Sequence, residues 1–293
     1  MQVVKGVLIW LLIFLPVVLA DAQEFRVMFY NTENLFDTAD DSLRDDSEFL
    51  PEGERRWTET RYKQKIDAVS RVIVAAGEWE APLFVGLAEV ENERVLKDLI
   101  HSSLLINSGY GIVHRESPDR RGIDLCLIYR KDYVSVLEVR SWVPEPDEGK
   151  TFDSRNLLYV KGLVFGDTLH LILCHLPSRR GGVLNADVIR KDVMTLLGCK
   201  TDSLILASGG RGSVMVMGDF NMGPDDQLVT RYASESNMKN LSARVAGEGT
   251  GTYKYQGRWE VIDQMIVSQV MTVDGFHFRA VAGSFKMLDT PFL

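Results

Sequence analysis

The sequence predicts one large α/β domain in which buried strands are covered by helices. Two observations predict it. Short apolar runs at 83–87, 169–174 and 214–217 suit buried strands, and the last, without polar alternation, suits burial on both faces. Three segments carry apolar residues at helical spacing, most clearly 61–77, with Ile66, Val69, Val72, Ile73 and Ala76. The 293 residues, 45% hydrophobic and 25% charged, supply enough chain for a full core.

Residues 1–22 hold a lone Lys5, an apolar run over 6–20 and Ala20-Asp21-Ala22 as an A-x-A cleavage site. That is the pattern of a secretory signal peptide. An uncleaved anchor is the alternative, although a membrane span needs about 20 residues. The domain is therefore expected over 23–293, in an exported (periplasmic or extracellular) protein with no stable span after cleavage. The net charge of −8 stays with the mature chain, because 1–22 removes one Lys and one Asp. Such a charge gives no long-range attraction to polyphosphates and weighs against non-specific coating of nucleic acid. Cys126, Cys174 and Cys199 form no C-x-x-C, and the first two sit in apolar runs, so buried thiols are expected rather than a disulfide framework.

Taken in order, strands are predicted at 25–30, 83–87, 124–129, 134–139, 157–164, 169–174, 214–217, 261–268 and 276–281. Helices are predicted at 61–77, 93–100 and 186–197. The acidic stretch 37–57 reads as a surface loop, and 143–150 as a linker. No G-x-G-x-x-G follows the first strand, and Gly209–Gly212 lacks a Walker Lys-Ser/Thr, so dinucleotide and P-loop folds are excluded.

Several strands end in polar residues of one chemical type: Asn31, Glu89, His175, then Asp219 and Asn221, with Asp263 inside the 261–268 run, flanked by apolar residues. Gly218 is read as the residue that lets the chain turn, with Asp219 and Asn221 facing one side in extended geometry. Each residue has a plainer reading: turn formers for Asn31, Asp219 and Asn221, a solvated helix start for Glu89, a hydrogen-bonded core group for His175 and Asp263. Repetition at strand ends favours a shared site. Carboxylate and amide oxygens suit a hard cation such as Mg²⁺, which leaves room for water and substrate phosphate. Metal-assisted hydrolysis of a phosphoester follows from those residue types.

Tyr30-Asn31, Leu87-Ala88-Glu89, His175-Leu176-Pro177, Gly218-Asp219-Phe220-Asn221 and Ile262-Asp263 occur in an order that resembles the endonuclease/exonuclease/phosphatase (DNase I-like) superfamily. The stretches around Asn31 and Glu89 look most like its exported bacterial members. The resemblance implies a four-layer α/β sandwich, two packed mixed β-sheets flanked by helices, and a hydrolase using Mg²⁺ or Mn²⁺. It implies Glu89 as the main metal ligand, with Asn31 close to metal or phosphate. Asp219 would orient or deprotonate the attacking water, Asn221 would hold a phosphate oxygen, and His175 would stabilise phosphate or assist the leaving group. Arg121, and less specifically Arg179 and Arg180, would contact phosphate; solvated surface arginines are the plainer reading. The family ends with Ser-Asp-His, whose His pairs with the residue matching Asp263. This sequence lacks that motif, so a C-terminally incomplete fold with weak turnover is expected, with His277 standing in as the alternative.

The resulting expectation is a monomeric phosphodiesterase, nucleic acid being the favoured substrate, although no aromatic–basic footprint for nucleic acid stands out in the sequence. A sphingomyelinase- or inositol-phosphatase-like enzyme and a non-catalytic exported binding protein are the other readings.

Overall fold

Strand β1 (Val27–Leu35) opens a first sheet and is followed by helix α1 (Glu59–Gly77), β2 (Phe84–Val90) and α2 (Glu93–His101). Strands β3 (Tyr110–His114) and β4 (Asp124–Arg130) complete that sheet in the order β1-β2-β4-β3, with β1 and β2 parallel and the rest antiparallel. The structure, a computed structural model, describes residues 23–144, 154–178, 183–246 and 249–289. The expected signal peptide, Arg179, Arg180 and most of the 143–150 linker lie outside the described residues.

The second sheet starts with β5 (Val134–Trp142), β6 (Leu157–Val164) and β7 (Asp167–His175). Helix α3 (Val183–Ala207) leads to β8 (Val214–Asp219), α4 (Gln227–Glu235) and β9 (Met238–Asn240). A separate hairpin, β10 (Tyr253–Tyr255) and β11 (Arg258–Glu260), precedes β12 (Asp263–Ser268). The six-stranded order is β5-β6-β7-β8-β12-β9, with β7 and β8 parallel and the other pairs antiparallel.

Strand alternation explains why these sheets stack. On β7 and β8, Leu169, Leu171, Leu173, Met215 and Met217 face inward, against Phe84 and Ala88 of β2 and Leu125 and Leu127 of β4. The alternate residues Ile172, Cys174, Val214 and Val216 face outward, against Val193, Met194 and Leu197 of α3 and Val229 and Tyr232 of α4. On the first sheet Val85, Leu87, Cys126 and Ile128 pack against Ile66, Val69 and Ile73 of α1 and Val95 and Leu99 of α2. Four layers result, two mixed sheets between two helical layers, as the resemblance implied. Residue 86 is Gly where the second sheet packs against it: a Cβ there would lie 3.1 Å from Leu173 and Met217 side-chain atoms of that sheet and from Phe29 of the neighbouring strand.

Four expectations need correction. Residues 276–281 form no strand; Phe278 is buried against the inter-sheet core, its ring 6.1 Å from that of Phe25, within irregular backbone. Alternating apolar residues report one-sided burial, which an irregular segment also satisfies. The 37–57 stretch is not simply a solvated loop, since Asp37 and Asp46 are buried and accept backbone hydrogen bonds from Ala39 and Asp41 at 2.7 and 2.9 Å. Helix α4 joins the three expected, capped by Asp226, whose Oδ1 accepts from the Leu228 N–H at 2.9 Å. Short β3, β9, β10 and β11 carry too few residues for a legible period.

Candidate active site

The strand-end residues named from the sequence converge at one end of the two sheets and line one groove. Sheet pairing places three of them in a row. Asp219 ends β8, His175 lies opposite it on parallel β7, and Asp263 opposite it on antiparallel β12. The first sheet contributes Asn31 from β1 and Glu89 from β2, across the gap.

Glu89 reaches the groove through a bulge. The β1–β2 register runs Asn31 to Ala88 and resumes at Leu35 and Val90, leaving Glu89 without a partner. Its φ is +61°, a left-handed conformation that costs a non-glycine residue about 1–2 kcal/mol. Buried Thr32 holds the bulge, its hydroxyl donating to the Ala88 carbonyl at 2.8 Å and the Glu89 carbonyl at 3.1 Å. Such strain persists only where the surroundings over-determine it, and it turns the carboxylate toward the second sheet.

Gly218 has a different reason from the turn expected of it. It lies within β8, and a Cβ on it would sit 2.0 Å from the Cys174 carbonyl oxygen of β7. The two strands pass too closely for any side chain there. The turn comes afterwards, at Asn221, whose φ is +49° and whose N–H donates to Asp219 Oδ1 at 2.8 Å. Asn accepts the left-handed region more readily than most residues. Asp219 and Asn221 are therefore joined by an Asx turn, not by extended backbone. The Asn221 Nδ2 donates to the Leu176 carbonyl at 2.8 Å, tying this turn to the end of β7.

Asn31 links the carboxylates. Its Nδ2 donates to Glu89 Oε1 at 3.3 Å and Asp219 Oδ2 at 3.1 Å, while its Oδ1 accepts from the Glu33 N–H at 2.9 Å. His175 Nε2 lies 3.7 Å from both Glu89 Oε1 and Asp219 Oδ2, and its Nδ1 is buried without a hydrogen-bond partner among the described residues. Burial, with the positive charges of Arg155 and Arg121, holds its pKa well below the ordinary histidine value. Asp219 is pushed up to about 6 by burial and the nearby Glu89 charge, against the hydrogen bonds from Asn221 and Asn31. Asp263 stands well above the usual carboxylate range because of burial and the facing Asp219. Its N–H donates to Thr252 Oγ1 at 3.0 Å, and its Oδ1 is buried with no partner among the described residues.

The donor set fits a hard divalent cation. Three carboxylates crowd together, two with their charged forms disfavoured, and one buried oxygen is orphaned; a cation among them would relieve both. A second grouping, His114, Glu116 and Asp124, brings ligand atoms within 4.8 Å of one another. Those atoms are already engaged: His114 Nε2 with Asp124 Oδ2 at 2.8 Å, Asp124 Oδ1 with the Ser117 N–H at 2.8 Å, and Glu116 with Arg44 at 2.9 Å. That grouping is a closed network.

Arg155 and Asp119 were missed. Arg155 is buried beside His175, donating from Nη1 to Asp119 Oδ2 and from Nη2 to the Leu176 carbonyl, both at 3.0 Å. Its Nε is buried without a partner among the described residues. Arg121, half exposed, lies with its Nε 3.4 Å from Asp119 Oδ1. Asp119 lay inside a charged loop and Arg155 beside an acidic linker, so only the fold reveals their pairing. His277 does not stand in at the site: its Nδ1 pairs with Asp167 Oδ2 at 2.8 Å, at the opposite end of β7 from His175.

A family model described as the endonuclease/exonuclease/phosphatase family matches residues 26–293. No curated protein matches the sequence. Among solved structures, a humanised TDP2 of D. rerio is 16% identical with a TM-score of 0.56, covering 84% of each chain. A mannosyl-6-phosphatase of Bacteroides thetaiotaomicron is 16% identical with a TM-score of 0.55, covering 84% of this chain and 85% of that one. The human Nocturnin catalytic domain with bound sulfate is 18% identical with a TM-score of 0.51, covering 70% of this chain and 75% of that one. At these identities the structures share the fold, and the match along 26–293 establishes that the chain belongs to the endonuclease/exonuclease/phosphatase family.

Proposed function

We propose that the protein is a divalent-metal-dependent phosphodiesterase, using Mg²⁺ or Mn²⁺ and favouring nucleic acid as substrate. The observation that carries this reading is the Asn31 amide spanning Glu89 and Asp219, with His175 3.7 Å from both. Glu89, with Asp219 and Asp263 beside it, would hold the cation, and Asn31 fixes the two carboxylates that face it. A bound cation supplies charge stabilisation at the phosphoryl oxygens.

The protein's own groups do the rest. Asp219, fixed by Asn31 and the Asn221 N–H, orients the attacking water. Neutral His175 presents Nε2 for a hydrogen bond to phosphate or to the leaving oxygen. The Arg155 guanidinium, with Arg121 nearer solvent, adds positive charge behind the phosphate. Asn221 keeps the Asp219 turn rigid through Leu176 and completes the polar wall on the substrate side. The pattern in residues 1–22 supports export, which cell fractionation with an N-terminal sequence of the mature protein checks.

The test is hydrolysis of bis(p-nitrophenyl) phosphate and of a labelled oligonucleotide, with Mg²⁺, Mn²⁺ or EDTA. Metal-dependent turnover that falls at least about a hundredfold in Asp219→Ala supports the reading. Absence of turnover, or turnover indifferent to EDTA or to that substitution, overturns it.

A further inference from the structure

The β10–β11 hairpin belongs to neither main sheet. It turns through Gln256 and Gly257, with φ values of +46° and +81°, the geometry of a tight two-residue hairpin turn. Two-stranded hairpins are marginal by themselves, so its anchorage matters. The anchor is Thr252: its N–H donates to the Glu260 carbonyl at 2.9 Å, and its hydroxyl accepts from the N–H groups of Ile262 and Asp263 at 3.1 and 3.0 Å. Gly251 fits only because it lacks a side chain, since a Cβ there would lie 2.5 Å from the Glu260 carbonyl oxygen. The hairpin is thus pinned to the site carboxylate Asp263.

It carries two large rings into water. Tyr255 is 49% exposed and Trp259 47% exposed, on a hairpin that the Thr252 hydroxyl ties to the backbone N–H of Asp263. The register puts them on opposite faces of the ribbon, each with a cation on its own face. Lys254 Nζ lies 5.1 Å from the Trp259 ring centre, and Arg258 pairs in register with Tyr255. Against one acidic residue, Glu260, the hairpin has local positive charge in a chain whose net charge is −8.

We propose that this hairpin is a stacking platform for unpaired bases of a single-stranded nucleic acid whose phosphodiester lies at Asp219. The inference rests on the phosphodiesterase reading. Exposed aromatic faces interleaved with cations suit strands whose bases are unstacked, because every base offers a π face and every link a negative phosphate. A paired duplex hides those faces. A lipid bilayer is the poorer occupant: the tip is Gln256-Gly257, polar and without an apolar wedge, and the rings lie behind it.

The experiment measures binding without turnover. Fluorescence anisotropy of a labelled oligo-dT is recorded in EDTA with the full chain, beside an abasic oligonucleotide of equal length and a matched duplex. The platform predicts tighter binding of oligo-dT than of either control. It predicts about a tenfold loss in each of Tyr255→Ala and Trp259→Ala, recovery of most of the affinity in Trp259→Phe, and unchanged abasic binding. Equal binding of oligo-dT and abasic strand, or unaltered oligo-dT binding in both alanine variants, overturns the proposal. So does loss of sphingomyelin-vesicle binding, and not of oligo-dT binding, in those variants. Turnover of bis(p-nitrophenyl) phosphate by the same preparations separates the two ideas. Turnover without base-dependent binding refutes the platform alone, and base-dependent binding without turnover refutes the enzyme reading alone.

Discussion

Gly218→Ala tests whether the spacing of β7 and β8 sets the site. The added Cβ would begin 2.0 Å from the Cys174 carbonyl oxygen, 2.5 Å from its Sγ and 2.8 Å from its carbonyl carbon. Ordinary contact begins near 3.4 Å, so the oxygen must retreat about 1.4 Å. Two of those atoms are backbone of a buried parallel pair, which cannot yield as a side-chain end does. Overpacking of this kind costs about 3 kcal/mol, worth roughly 6 °C in melting temperature at this size. The next register pair along the strands is His175 with Asp219, so the same displacement falls on the site. A misplacement near 1 Å lowers turnover about a hundredfold. Gly86→Ala is the control. Its Cβ would meet side-chain atoms alone at 3.1 Å, the ends of Leu173 and Met217 and a ring carbon of Phe29, a cost of about 1 kcal/mol. Urea denaturation and metal-dependent hydrolysis are measured on both variants. A Gly218→Ala protein no less stable than Gly86→Ala, or with unchanged turnover, would falsify the account of strand spacing.

Three further outcomes are expected. At position 89, Gly relieves the left-handed strain that Ala retains, so Glu89→Gly should equal or exceed Glu89→Ala in urea stability. That reverses the usual penalty of about 0.5–1 kcal/mol for Gly, and a Gly variant weaker by that amount removes the strain argument. His170, bonded through Nδ1 to the Tyr159 hydroxyl at 2.8 Å, has its pKa lowered to about 4 by burial and Lys161. Above the ordinary histidine value both states are neutral and it contributes nothing; as pH falls toward 4 the unfolded chain protonates first. It should therefore cost about 3 kcal/mol of stability by pH 4, and His170→Asn should flatten that slope, an equally steep slope counting against it. Removing Arg155 alone should destabilise by about 3 kcal/mol, since it leaves the buried Asp119 only the half-exposed Arg121 as an ion partner. The Arg155→Ala, Asp119→Ala double variant should recover about 1–3 kcal/mol relative to additivity, and a cycle that closes at zero dismisses the pair.

The site was more legible in the sequence than the segments that support it. Glu89, His175 and Asp219 each follow an apolar run, so strand and chemistry announced themselves together, while Asp263 lies inside its run and β1 continues past Asn31 to Leu35. What no local pattern carries is a pairing between distant segments. Arg155 and Asp119 each look solvated in their own surroundings, and become a buried ion pair only when β6 follows the 154–156 stretch past the loop before β4. The same blindness applied to Gly218, whose flexibility is visible in a sequence while the closeness of Cys174 is not. Tyr255 and Trp259 were passed over because three-residue strands have no period to read. Residues 276–281 erred in the opposite sense, since Phe278 has the alternation of a strand and the burial of one, without a partner strand.

The two halves of the site stand on different sheets, Asn31 and Glu89 on the first, His175, Asp219 and Asp263 on the second. Nothing covalent holds that gap at its width except the remote chain connections; the side chains of Phe84, Leu125, Leu173 and Met217 between the sheets do. The greasy interior thus works as a caliper, and the polar residues read its setting. A change of one methylene far from any phosphate is registered as a change in the reach from Asn31 to Asp219. Loss of hydrolysis at denaturant concentrations that leave the helical circular-dichroism signal intact would show that gap widening before the layers dissolve.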